Sequence, residues 1–207
     1  HVRGLDQVEA AQHFLGLHER AIDGRHLAAP HPHGHGFIGH GQGLAGHALL
    51  PAQTFLAPPK DAPASLAVSG KYTAADARRV DAVGSLPGHS YLSDKAAPRP
   101  TNVALPFKGQ PVQGFSGIKH SGAGRYWVLQ DNGYGARSNS ADAMLMFHHV
   151  KPDWKSRSVQ RLQTVFLHDP DRKVPFRITQ ESTDQRYLTG ADFDPESFQF
   201  AGGALWI

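Results

Sequence analysis

The second half of the chain places β-branched and aromatic residues in short runs separated by clusters of turn residues. Such runs predict antiparallel strands, which we place near Phe115–His120, Arg125–Gln130, Met144–Val150 and Arg161–His168. The first two strands are joined by Ser121-Gly-Ala-Gly124, which predicts a tight hairpin connection. No helical pattern separates the four strands. The sequence therefore predicts a meander, which is most economically one blade of a β-propeller.

A second hairpin-like pattern follows the first one along the chain. Aligning Trp127 with Trp206 superimposes the two patterns at an offset of 79 residues. Propeller repeats are commonly about 40 to 50 residues long, so we assign the excess to a surface excursion between Asp169 and Leu188. We predict an all-β fold, a partial β-propeller of about one and a half blades of antiparallel meander. The chain ends within a strand at Leu205–Ile207, which we interpret as the mark of a truncated protein.

The N-terminal part has a different composition. Residues 1–59 contain no Ser, Lys, Tyr, Asn, Met or Trp, and they carry nine of the fourteen histidines. The run that starts at His31 could be a metal-binding tract, but Gly and Pro beside each His leave nothing to fix ligand geometry. We therefore divide the chain into a disordered low-complexity segment at 1–65, a largely irregular linker with a short helix near Ala74–Val83 at 66–102, and a propeller segment at 103–207.

Composition and charge exclude several classes of function. The 207-residue chain has no Cys, which removes disulfides, thiolate nucleophiles and cysteine metal sites. Its net charge of +3 is too small to indicate a nucleic-acid partner. No apolar run approaches the roughly 20 residues that a membrane-spanning helix needs. We expect a protein with a buried core and with neither a nucleic-acid nor a membrane partner.

Three spaced motifs carry a resemblance to a known family. They are Gln113-Gly-Phe-Ser-Gly-Ile, the run from Tyr126 to Asp142, and Gly190-Ala-Asp-Phe-Asp-Pro-Glu-Ser followed by Leu205-Trp-Ile. In this order they resemble the opening blades of the bacterial phytase-like family, described as having esterase-like activity of phytase. The resemblance implies a secreted or periplasmic β-propeller that hydrolyses a small-molecule ester or phosphoester and is monomeric at full length.

A cluster of carboxylates is the most informative candidate for a site. Asp192, Asp194 and Glu196 alternate along the chain, so they can offer hard oxygens to Ca²⁺ from one side. The spacing is not that of an EF-hand, and a solvated acidic turn is the alternative interpretation. The resemblance implies that Glu196 starts an inner strand facing the propeller channel. Asp131, in an Asp-Asn-Gly turn, is the fourth member of the predicted calcium site.

Other polar residues support weaker hypotheses. Arg137 and Asn139 lie in a polar loop, where a guanidinium could bind phosphate or carboxylate, and we predict that both contact substrate. Ser116 lacks the strand-to-helix elbow of a typical serine nucleophile, so the catalytic residue stays unknown. His148 and His149 are adjacent on a predicted strand and should point to opposite faces, which favours packing over a shared metal.

Two functions from different classes remain open. The first is an exported hydrolase that acts on phosphate or carboxylate esters, with Ca²⁺ as cofactor. The alternative is a non-catalytic β-propeller that binds a ligand or partner and uses any metal structurally, because a fold by itself does not imply an activity. A lone blade would not bury both of its faces, so we expect the fragment alone to be inactive.

Overall fold

The computed structural model describes residues 46–72, 78–90, 99–131 and 133–207. Over these ranges the chain is all-β, as predicted, with a single 3-10 turn at Ala64–Ala67 as its helical element. The described ranges hold no helix long and apolar enough to span a membrane. The strands, numbered β1 to β12 in chain order, are Phe55–Leu56, Val68–Ser69, Leu86–Ser90, Arg99–Leu105, Phe107–Lys108, Gln110–Pro111, Phe115–Gly122, Arg125–Gln130, Met146–Asp153, Ser158–Phe166, Gln199–Ala201 and Ala204–Trp206.

The four strands predicted as a meander form one antiparallel sheet in the order β10-β9-β8-β7. Strand β8 has the predicted bounds, and β7 extends to Gly122. Strands β9 and β10 are longer at their connection than predicted, because Asp153 pairs with Ser158 across a turn in which Arg157 adopts φ 57°. The segment 151–161 is therefore the end of a long hairpin.

The two central strands of this sheet, β8 and β9, are packed on both faces. Side chains alternate along each strand, so Val128 and Val150 face one core while Leu129 and Phe147 face another. The first core is closed by Ala48 and Leu50 and by Val112 and Phe115. The second is closed by Phe198, which precedes β11. We expected the fragment to be inactive because a lone blade would leave one face of its sheet exposed. The two cores show that β8 and β9 pack against other segments on both faces.

The segment expected to be disordered up to residue 65 contributes to the packed structure from residue 46 onward. Ala48 and Leu50 are buried, β1 pairs with β6, and Leu49 forms a parallel bridge with Ser158. Residues 46–65 are thus part of the packed structure, because their few apolar side chains cover the sheet. The histidine-rich tract around His31 lies outside the described residues.

The region expected to be an irregular linker also contains paired strands. Strands β3 and β4 pair with each other, and β2 pairs with β5. Residues 78–83 are not helical, and 74–77 of the predicted helix lie outside the described residues. Pairing with later segments organises this region, which its own local sequence does not predict.

The second hairpin, β11-β12, has the same type of turn as the first hairpin, β7-β8. The β7-β8 turn is Ala123-Gly124 with φ 51° and 66°, and the β11-β12 turn is Gly202-Gly203 with φ 58° and 77°. Positive φ at both central residues is the requirement of a two-residue type I′ hairpin. The two hairpins belong to separate sheets, as the repeat predicts, and none of the described sheets closes into a ring.

The charge-rich excursion between 169 and 188 folds around a buried cation. Arg186 is 2% exposed, and its guanidinium forms ion pairs with Asp169 and Glu181. Ile178 and Tyr187 are buried beside this network. Most charged residues of the segment are exposed, as expected of a surface excursion, but Asp169 and Arg186 are buried and hold the loop together.

Candidate functional site

Asp131 is the buried member of the predicted carboxylate set. It follows β8 directly and is 7% exposed. The Ser116 hydroxyl donates to its Oδ2 at 3.3 Å, and the Gly133 N–H donates to its Oδ1 at 3.4 Å. A Cβ at Gly114 would come within 2.5 Å of the same Oδ1, so the backbone approaches the carboxylate closely at this position.

Two further carboxylates act on Asp131 through space. Burial raises the pKa of the Asp131 carboxyl to about 6, and the negative charges of Asp194 and Glu196 push it in the same direction. Hydrogen bonds from Gly133 and Ser116 oppose the rise without cancelling it. A charge perturbs a neighbour strongly only over short distances, so the three carboxylates share one region of the molecule.

Asp192 differs from these three carboxylates, because both of its oxygens accept hydrogen bonds from nearby threonines. Its Oδ1 accepts hydrogen bonds from the Thr179 N–H at 2.6 Å and hydroxyl at 2.8 Å. Its Oδ2 accepts from the Thr189 N–H at 2.8 Å and hydroxyl at 2.9 Å. With four donors on two oxygens, Asp192 ties two loops together. This is a structural role for one of the four residues predicted to bind calcium.

A cavity of about 390 Å³ lies beside Asp194 and Glu196, both of which are exposed and line it. Its remaining wall is formed by Leu145, Leu167, Leu188, Phe193, Pro195, Ser197 and Ile207. A cavity of this size is within the range of small-molecule sites. The sequence did not single out the leucines, since apolar residues at strand ends read as ordinary core.

Arg137 and Asn139, predicted to contact substrate, do not line this cavity. Arg137 is exposed in the loop after β8. Asn139 Oδ1 accepts hydrogen bonds from the Ala136 N–H at 3.2 Å and the Ser140 hydroxyl at 3.0 Å, so it shapes the loop. Their role in substrate binding stays a prediction.

The two adjacent histidines point to opposite faces of β9, as predicted. His148 is fully buried, with Nδ1 2.8 Å from Thr164 Oγ1 and Nε2 3.5 Å from Gln130 Oε1. His149 stacks on Trp127 at 4.4 Å between ring centroids and hydrogen bonds Ser121 Oγ at 2.8 Å. Both rings pack within the sheet and cannot share a metal.

Calcium suits the donors of this site in kind, because carboxylate oxygens are its preferred ligands. Asp131, Asp194 and Glu196 supply such oxygens with mutually repelling charges, which a divalent cation would neutralise. Within the described ranges, no three His, Asp or Glu side chains already form a group that could hold a metal ion.

The fold and the site together define an all-β protein segment with an acidic cluster beside a small-molecule cavity. Residues 110–207 match the model of the phytase-like family, described as esterase-like activity of phytase. This part of the chain is similar to that family, and the match suggests a phytase-like or esterase-like hydrolase. Neither the curated proteins nor the solved structures include a significant match.

Proposed function

We propose that this chain is part of an exported hydrolase that cleaves phosphate or carboxylate esters at the cluster of Asp131, Asp194 and Glu196. The proposal is supported by the way in which the fold brings together carboxylates that are distant in the sequence. Asp131 follows β8, whereas Asp194 and Glu196 precede β11, yet the charges of Asp194 and Glu196, which line the cavity, act on Asp131. The secreted or periplasmic location and the monomeric state rest on the family alone.

The chain's own residues would share the work of such a reaction. Asp194 and Glu196 stand in the cavity wall, where a carboxylate can orient water against a bound ester. Asp131 is held from behind by Ser116 and Gly133, which fixes its direction. The oxygens of Asp194 and Glu196 in the cavity wall would hold Ca²⁺, which when bound would polarise the scissile group.

The test uses the purified chain with p-nitrophenyl phosphate and p-nitrophenyl acetate, with added Ca²⁺ and with a chelator. We expect turnover of at least one substrate and a loss of about 10²-fold or more in Glu196→Gln and Asp194→Asn. Asp184→Asn is the matched control, because Asp184 is an exposed carboxylate that does not line the cavity. Titration calorimetry with Ca²⁺ should show binding that both site variants weaken and the control retains.

A folded chain without turnover on either substrate would refute the hydrolase. Calcium binding that persists in that case would favour the alternative, a propeller-type binding module with a structural metal. Turnover that is insensitive to the chelator would refute the calcium part alone.

A further inference from the structure

The cavity beside the carboxylates is lined mainly by apolar residues, and its charged residues are all acidic. Six of its nine lining residues are apolar, one is a serine and two are carboxylates. None of the nine is Lys or Arg, the residues with which proteins usually bind phosphate. The predicted phosphate-binding Arg137 is also not among them.

The apolar floor of this cavity is held by the backbone. The Leu145 N–H donates to the Leu188 carbonyl at 2.9 Å, and the Leu188 N–H donates to the Leu167 carbonyl at 2.9 Å. The Leu167 N–H donates to the Leu145 carbonyl at 3.0 Å, which closes a ring of three hydrogen bonds. These three segments come from different parts of the chain, so the ring fixes the leucines relative to one another. This part of the cavity wall is therefore held by backbone hydrogen bonds.

A phosphate monoester fits such a cavity poorly. Its charge would meet Asp194 and Glu196 without a basic side chain in the wall, so it would need a cation that offsets both carboxylates, and the apolar floor offers its oxygens no hydrogen bonds. An uncharged ester with an apolar chain fits well, because each buried methylene gains transfer free energy and the ester group can remain near the carboxylates. The lining thus discriminates between the two substrate classes that the family match leaves open.

We propose that this cavity binds the apolar acyl chain of an uncharged carboxylic ester, and that such esters, not phosphate monoesters, are the substrates. The proposal rests on the proposed hydrolase function. In the reaction a water oxygen bonds to the carbonyl carbon and the ester C–O bond breaks. The alcohol leaves with one proton of that water, carried by a carboxylate of the cavity wall, so ester and water become carboxylic acid and alcohol.

The experiment compares p-nitrophenyl acetate, butyrate and octanoate with p-nitrophenyl phosphate. We expect kcat/KM to rise about tenfold from acetate to butyrate, because each buried methylene contributes about a three- to fourfold gain. The phosphate should be the poorest substrate. Ser197→Phe, which places a ring in the cavity at an exposed position, should reduce the octanoate-to-acetate ratio at least tenfold. The control Ser182→Phe, at an exposed position outside the cavity, should keep the ratio.

Binding of 2-octanone, an unreactive analogue, provides a readout that does not need catalysis. We expect calorimetry to show binding to the wild type and to Ser182→Phe, and weaker binding to Ser197→Phe. Ketone binding without hydrolysis of any substrate would refute the hydrolase but keep the cavity as an apolar-chain site. Hydrolysis that prefers the phosphate, or that ignores chain length, would overturn this proposal and leave the hydrolase standing.

Discussion

His148 provides a sharp test of the packing of the central sheet. Its ring is completely buried between Thr164 and Gln130, and its edge contacts Phe115 at 5.7 Å between centroids. Burial, with a smaller contribution from the charge of Arg161, lowers the pKa of His148 from 6.5 to about 3. The folded protein therefore keeps this ring neutral over a pH range in which the unfolded chain protonates it.

The sign and size of the effect follow from proton linkage. Between about pH 6.5 and pH 3 the unfolded state binds one more proton than the folded state at this position, so stability falls as the pH falls. Each pH unit in this window costs about 1.4 kcal/mol. From about pH 7 to pH 4, His148 alone should lower the free energy of unfolding by about 3 kcal/mol.

The assay is urea unfolding at several values from pH 7 to pH 4, followed by circular dichroism and by tryptophan fluorescence. His148→Gln removes the titrating group and should lose about 3 kcal/mol less than the wild type over this range. His149→Gln is the matched control, because His149 lies on the other face and is only partly buried. If His148→Gln loses stability as steeply as the wild type, the ring is not excluded from water and the described packing is incorrect.

Three further predictions test other parts of the structure. Because the pKa of Asp131 is raised to about 6, its protonated form stabilises the fold at low pH and this stability is lost as the pH rises through 6. Asp131→Asn should therefore be more stable than the wild type at pH 8, by up to about 3 kcal/mol in urea unfolding, and no gain there would contradict the raised pKa. Arg186→Met leaves the Asp169 carboxylate without its cation, whereas Glu181 keeps its exposed pair with Arg172. This variant should lower the melting temperature more than Arg172→Met does, and an equal thermal shift would count against the network. Gly117→Ala would place a Cβ 2.9 Å from the Phe198 ring, so it should cost about 1 to 3 kcal/mol and alter the tryptophan fluorescence. The control Gly124→Ala has open space around its Cβ and should leave that fluorescence unchanged, although its positive φ carries a backbone cost.

Periodicity predicted the meander well because its signals are local. Strands β7 to β10 are runs of β-branched and aromatic residues that follow one another along the chain, and the turn residues between β7 and β8 require a specific backbone conformation. The same turn chemistry recurs at Gly202-Gly203, which is why an alignment on two tryptophans found the second hairpin. Composition misassigned residues 46–65, because burial of Ala48 and Leu50 depends on a distant sheet.

The candidate site was predicted only in part, for a related reason. Residue type identified Asp131, Asp194 and Glu196 as oxygen donors, but it grouped Asp192 with them. Only the fold shows that the threonines at 179 and 189 occupy both Asp192 oxygens. The cavity depends on three leucines whose backbones meet from separate segments, and no spacing in the sequence encodes that meeting.

The sequence by itself determined the strand class, the two hairpin turns and the kinds of chemistry available, because these depend on side-chain alternation and on residues close in the chain. Tertiary structure decided which carboxylate is buried, which charges surround Arg186 and which apolar residues line the cavity. Those properties depend on distances in space and on exclusion of water, and both arise only when remote segments pack together.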